Sequence, residues 1–120
     1  MGLEALGRKK YAEIIDNGVT LARQAGEYVA EQSDLELVMQ PQLASVLFRY
    51  RPANEVQGGI ALLNQRIGDE LLASGSANVG VTEADGVTCL KLTLLNPVVT
   101  LDDVKVLLTS VQQTGNRLSA

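Results

Sequence analysis

Lys91 is the charged residue whose setting most suggests chemistry. It stands mid-way along Val87 to Leu95, where Leu90, Leu92 and Leu94 alternate with Cys89, Lys91 and Thr93. That alternation predicts a strand whose leucines face a core. Lys91 then projects from the other face, as a cation able to hold a carboxylate or a phosphate. The same pattern also fits a solvated lysine on an exposed sheet face. Cys89 shares the Lys91 face; it reads either as a reactive thiol beside a cation or as a small buried hydrophobe. Arg49 and Arg51 flank Tyr50 near the end of another apolar run. They could bind an anion or a partner, or simply solvate a strand terminus.

Other chemistries are excluded by composition. The chain has no His and one Cys. Ser-His and Cys-His nucleophiles, histidine acid-base work and histidine metal sites are therefore out of reach, as is any intrachain disulfide. Lone Cys89 suits a reducing cytoplasm. Gly58-Gly59 and Gly75-Ser76-Ala77 do not join a strand to a helix in a phosphate-loop pattern. Glu83, Asp85, Asp102 and Asp103 fall in turns or a helix cap. The net charge of -4 with scattered Lys and Arg argues against nucleic acid. No apolar run reaches the roughly 18 residues of a membrane span, and Met1 to Lys10 has no signal-peptide core. At 120 residues and 46% hydrophobic, with 3% aromatic, the chain is one domain with an aliphatic core.

The elements that would position these residues follow from periodicity. Tyr11, Ile14, Ile15, Leu21, Ala22, Ala25 and Val29 recur at helical spacing, predicting a long first helix that ends at Ser33-Asp34. Gly7, Gly18 and Gly26 weaken it, so close packing must hold it, and Gly7 is a candidate kink or break. Helical pattern begins at Leu3 with no capping residue before it, so Met1-Gly2 reads as a leader joined to the interior of a longer chain. Leu35, Leu37 and Met39 predict a strand stopped by Pro41, and Ala44, Val46, Phe48 and Tyr50 a second, joined as a hairpin through Gln40 to Leu43. A second helix runs from an Asn54 cap through Ile60, Leu63, Ile67 and Leu71 to Ser74-Gly75. Asn78 to Thr82 predicts a third strand, and Asp85-Gly86 the turn into the Lys91 strand, which ends at Asn96-Pro97. Thr100 and Asp103 form a capping box for a last helix, with Leu101, Val104, Leu107, Leu108 and Val111 inward and Gly115-Asn116 as its end. The order αββαββα implies an α+β domain, an antiparallel sheet of about four strands with helices on one face.

Beyond pattern, Glu36-Leu37-Val38-Met39-Gln40-Pro41-Gln42-Leu43-Ala44-Ser45-Val46-Leu47-Phe48-Arg49-Tyr50 resembles the stretch of group II pyridoxal-phosphate-dependent decarboxylases where two strands follow a long helix. Leu90 to Pro97 and the Thr100 helix start resemble that family's late strand and final helix. Leu62-Leu63-Asn64 and Gly75 fall where the family has its helix and turn. The likeness covers nearly the whole chain in order and is nearest in kind to the bacterial L-2,4-diaminobutyrate decarboxylases.

The resemblance implies a C-terminal small domain of a fold-type-I enzyme, closing over a large domain that carries pyridoxal phosphate. In that family a His-Lys pair binds the cofactor, another His stacks on its ring, and the α-carboxylate of a small amino acid leaves as carbon dioxide. Without His, this chain has no cofactor-binding or catalytic residue of its own, and those groups must lie upstream of Leu3. The parent is then expected to be a cytoplasmic homodimer acting on 2,4-diaminobutyrate or a similar amino acid. The family usually places Arg where this chain has Lys91, within reach of the substrate carboxylate. The domain interface is expected to leave an apolar patch involving Leu3, Leu6 and the first helix. An aminotransferase or C–S lyase small domain, or a stand-alone module that binds amino acids, are the alternative readings.

Overall fold

The computed structural model describes residues 3–41, 43–53, 56, 58–74, 79–94 and 99–119, with side chains of the first helix described from Ala12 onward. Seven elements follow one another: α1 (Leu3–Glu31), β1 (Leu35–Leu37), β2 (Ser45–Tyr50), α2 (Gly59–Ala73), β3 (Val79–Ala84), β4 (Val87–Thr93) and α3 (Leu101–Ser119). The order is the αββαββα expected. All strands pair antiparallel, in the spatial order β1-β2-β4-β3. The central β2–β4 pair is thus joined through α2 and β3, while the β1–β2 and β3–β4 pairs are hairpins.

Period-two alternation puts most of the large apolar strand residues on one face. Leu35, Val46, Phe48, Tyr50, Val79, Leu90 and Leu92 are buried there, against Leu21, Ala22, Ala25 and Val29 of α1, Leu63, Ile67 and Leu71 of α2, and Val104, Leu108 and Val111 of α3. The helices all lie on that face. The other face, with Glu36, Ser45, Leu47, Arg49, Gly80, Thr82, Cys89, Lys91 and Thr93, has no helix over it.

Among the described residues, one polar side chain is buried in this core. Asn64, on the apolar face of α2, accepts from the Tyr50 backbone N–H through Oδ1 (2.8 Å) and donates through Nδ2 to the carbonyls of Tyr50 (3.0 Å) and Ile60 (2.9 Å). The reason lies in the register. The β2–β4 ladder stops at Phe48–Leu90. Continued by one more bonded pair, it would have set Thr88 opposite Tyr50. The Asn64 amide serves the Tyr50 peptide in place of that strand neighbour.

Close packing holds the glycine-bearing helices. A Cβ on Gly115 would lie 2.7 Å from the Tyr50 ring, and one on Gly26 would lie 2.6 Å from Pro41. The Gly115 contact explains a departure from expectation. Gly115-Asn116 does not end α3, which continues to Ser119, because this glycine admits the Tyr50 ring against the helix.

Other expectations are revised in detail. Gly7 does not break α1. β1 ends at Leu37, and Val38 and Met39 belong to the turn although the Val38 N–H still donates to Leu47 (3.0 Å). β3 runs on to Ala84, so Glu83 is an exposed strand residue and not part of a turn. β4 ends at Thr93. Asp85 and Gly86 both take positive φ, as a tight hairpin requires. Gly58 in the left-handed region precedes α2, with no side-chain cap, and the Asn54 cap lies outside the described residues, as do Gly75, Asn78 and Asn96-Pro97. The capping box is present: the Thr100 N–H donates to Asp103 (3.0 Å) and the Asp103 N–H to the Thr100 hydroxyl (3.2 Å). The side chains of Leu3 and Leu6 lie outside the described residues.

Two substitutions probe this core. Asn64→Ala leaves the buried Tyr50 peptide unpaired and should cost about 2–3 kcal/mol in urea unfolding. Gly115→Ala would stabilise an open helix by about 1 kcal/mol. Here it should destabilise the domain by about 1–3 kcal/mol, the usual cost of overpacking, measured the same way.

Candidate functional site

The open sheet face carries three cross-strand rows set by register. Ser45 and Thr93 make one; Leu47, Lys91 and Gly80 the next; in the third, past the end of the β2–β4 ladder, Glu36 pairs with Arg49 and Thr82 with Cys89. Lys91 is exposed, at the centre of this face, as the alternation of its strand predicts. Among the described residues no carboxylate forms an ion pair with it. It lines an open groove of about 270 Å³ with Met39, Gln40, Leu43, Ser45, Leu47 and Thr82. The groove therefore has apolar walls at the β1–β2 turn and one cation toward its centre.

Cys89 neighbours Lys91 in sequence on the same face but is fully buried. Burial pushes its thiol up from the ordinary value, against the pull of the Arg49 charge. A thiol held protonated in this way is a poor nucleophile. The small-hydrophobe reading of Cys89 is the one the structure supports.

Arg49 and Arg51 are not an open anion site. Both are occupied by Glu36 across the hairpin. Arg49 Nε donates to Glu36 Oε1 at 2.9 Å and its Nη2 lies 2.7 Å from the same oxygen, while Arg51 Nη1 lies 2.5 Å from Oε2. Sequence reading overlooked Glu36 as their partner. The signal was available, since the Leu35–Tyr50 register of a hairpin sets residue 36 opposite residue 49. Desolvation pushes the Glu36 carboxyl up, but the hydrogen bonds from Arg51 and Arg49 and their charges outweigh it, so its pKa falls below the ordinary carboxylate value.

Chemically, the face can hold an anion at Lys91 and present an apolar rim beside it. It offers no acid-base pair, and the described residues contain no cluster of three metal-ligating side chains. No described helix is long and apolar enough to cross a membrane. The arrangement does not fit pyridoxal phosphate as a resident cofactor. Lys91 lies on a shallow face, the chain has no His to stack on a ring, and no described carboxylate stands beside Lys91 for a pyridine nitrogen.

The Glu36 cluster has a pH signature. A carboxylate with lowered folded-state pKa stabilises the fold above its unfolded value and loses that contribution as pH falls through the folded value. Wild-type protein should therefore exceed Glu36→Gln in urea midpoint near neutrality, by a modest amount since Glu36 is 33% exposed. The gap should close below about pH 4, measured in parallel titrations.

No family model matches the chain. Over 98% of its length it is 46% identical to an L-2,4-diaminobutyrate decarboxylase of Acinetobacter baumannii, covering 23% of that protein. It is 34% identical, again over 98%, to an L-2,4-diaminobutyrate decarboxylase of Rhizobium meliloti, covering 24% of it. The chain thus spans about a quarter of the length of the curated relatives it matches. Among solved structures, the glutamate decarboxylase domain of diaminobutyrate-pyruvate transaminase and L-2,4-diaminobutyrate decarboxylase from Vibrio parahaemolyticus matches with a TM-score of 0.79 at 29% identity, over 88% of this chain and 22% of that one. Nearly the whole chain is thus similar, in sequence and in its α+β fold, to a segment that makes up about a quarter of L-2,4-diaminobutyrate decarboxylases.

Proposed function

We propose that the chain serves as the C-terminal small domain of a pyridoxal-phosphate-dependent decarboxylase acting on 2,4-diaminobutyrate or a similar amino acid. The observation that carries this reading is 46% identity to an L-2,4-diaminobutyrate decarboxylase across a segment only a quarter of that enzyme's length. A chain without His and an open, shallow groove around Lys91 support a division of labour between two domains. The cofactor, which supplies the electron sink for loss of carbon dioxide, belongs to a large domain of the same parent chain. The parent is proposed to be a cytoplasmic homodimer.

In this reading the small domain covers the site and supplies one cation. The open sheet face turns toward the large domain, and Lys91 holds the substrate carboxylate. A lysine suits this position for a physical reason. The carboxylate leaves as neutral carbon dioxide, so any cation gripping it stabilises the ground state more than the transition state. A single flexible ammonium grips less rigidly than the two-pronged guanidinium that the family usually places here.

Two measurements test the proposal together. The 120-residue chain mixed with pyridoxal phosphate and 2,4-diaminobutyrate should release no carbon dioxide and show no visible cofactor band; decarboxylation by the chain alone would overturn it. In the full-length enzyme, Lys91→Met should raise KM for the amino acid about tenfold and leave kcat equal or higher, because the lost grip stabilised the ground state at least as much as the transition state.

A further inference from the structure

Among the described residues, Leu43 is the one large apolar residue with both a left-handed backbone and an exposed side chain. It lies in the β1–β2 turn with φ of 53°, in the left-handed region, and is 78% exposed. A side-chain-bearing residue there is strained by about 1–2 kcal/mol, and glycine or asparagine would take the position more cheaply. An exposed leucine also gains nothing from the fold around it. Leu43 forms the rim of the groove that holds Lys91, with Met39 and Leu47 beside it. The helices cover only the opposite face of the sheet. The relatives carry about three quarters of their length outside the matched segment, and that length has to meet this domain across a surface. Leu62, Leu72 and Val106 are also exposed, singly on the helices, but the rim at Leu43 combines the most exposed of these residues with a groove and the Lys91 cation.

We infer that Leu43 is the anchor that seats the open sheet face on the large domain of the same polypeptide, its side chain entering an apolar pocket there and so fixing Lys91 over the substrate. The inference rests on reading the chain as the small domain of a longer enzyme. Leu43 touches neither substrate nor cofactor, and acts as a positioning residue for Lys91.

The test uses Leu43→Asn and Leu43→Met in the full-length enzyme, with the 120-residue chain as reference. Asparagine tolerates the left-handed backbone, so the melting temperature of the 120-residue chain should hold or rise. In the full-length enzyme the Asn variant should raise KM for 2,4-diaminobutyrate about tenfold, and the Met variant, which keeps apolar bulk, should restore it. Amide exchange gives a readout independent of activity: the 38–44 turn should be protected in the full-length enzyme relative to the 120-residue chain, and Leu43→Asn should remove that protection. Wild-type KM and protection in the Asn variant would overturn the inference. So would self-association of the 120-residue chain abolished by Leu43→Asn with the full-length enzyme unaffected, which would make a second copy the occupant. If Leu43→Asn acts as expected while Lys91→Met is silent, the anchor stands and the carboxylate role of Lys91 falls. A reading frame without a pyridoxal-phosphate region ahead of this segment would sink the small-domain reading itself.

Discussion

The peptide group at Tyr50 is the point on which the three layers of contact meet. Its N–H and carbonyl are held by Asn64 from α2, its ring lies against Gly115 of α3, and its residue pairs with Leu35 across the hairpin. β2 runs one bonded pair past the end of its ladder with β4, and an unserved peptide there would be buried without a partner. A side-chain amide has the same donor and acceptor as a backbone peptide, so asparagine can stand in for the ladder pairing that β4 does not make there. The substitution fixes the height of α2 on the sheet, because the amide also holds the Ile60 carbonyl one turn earlier on its own helix.

Once α2 and α3 are fixed against Tyr50, all helical cover lies on one side. α1 joins them on that side through Ala22, Ala25 and Val29, and Gln112 of α3 donates to Gln32 and Asp34 at the α1–β1 turn. The sheet's second face is therefore free by construction. Its polar end is closed locally, with Glu36 neutralised by Arg49 and Arg51 and Cys89 buried in the same row. Its other end is left with Lys91 and an apolar rim. At one end two guanidiniums are tied to the one Glu36 carboxylate, while at the other Lys91 has no ion-pair partner among the described residues, and this gives the face a direction.

Much of this was legible in the sequence. Alternation at Leu90, Leu92 and Leu94 assigned the faces of β4, and with them the exposure of Lys91, because strand period is a purely local property. The Thr100–Asp103 box likewise involves only residues three apart. The features that escaped are those in which two distant segments decide jointly. Gly115 reads as a helix end until the Tyr50 ring is set against it, and Arg49 reads as free until Glu36 is brought opposite. Asn64 carried a weak signal, a polar residue on an otherwise apolar helical stripe, but nothing local says that its partner is a strand peptide. Leu43 carried none, since a leucine in a short loop is unremarkable until its φ is known.

The division between what the domain holds rigidly and what it leaves open bears on how such a cover can act. A lysine on a strand has a fixed Cα but a mobile ammonium, so its placement over a ligand depends on where the whole sheet sits and not on the side chain alone. Positioning then has to come from the rim of the face, where an apolar contact resists sliding without competing for the substrate's charge. A cation at the rim would have drawn the carboxylate away from the reacting centre, and a polar residue would have gained little by leaving water. A leucine held in a strained turn satisfies both conditions at the cost of local backbone energy. That cost falls on the isolated domain, while the benefit exists only when a second surface is present. On the proposed reading, stability and function are set by different residues, the first by Asn64 and Tyr50 on the covered face, the second by Leu43 and Lys91 on the open one.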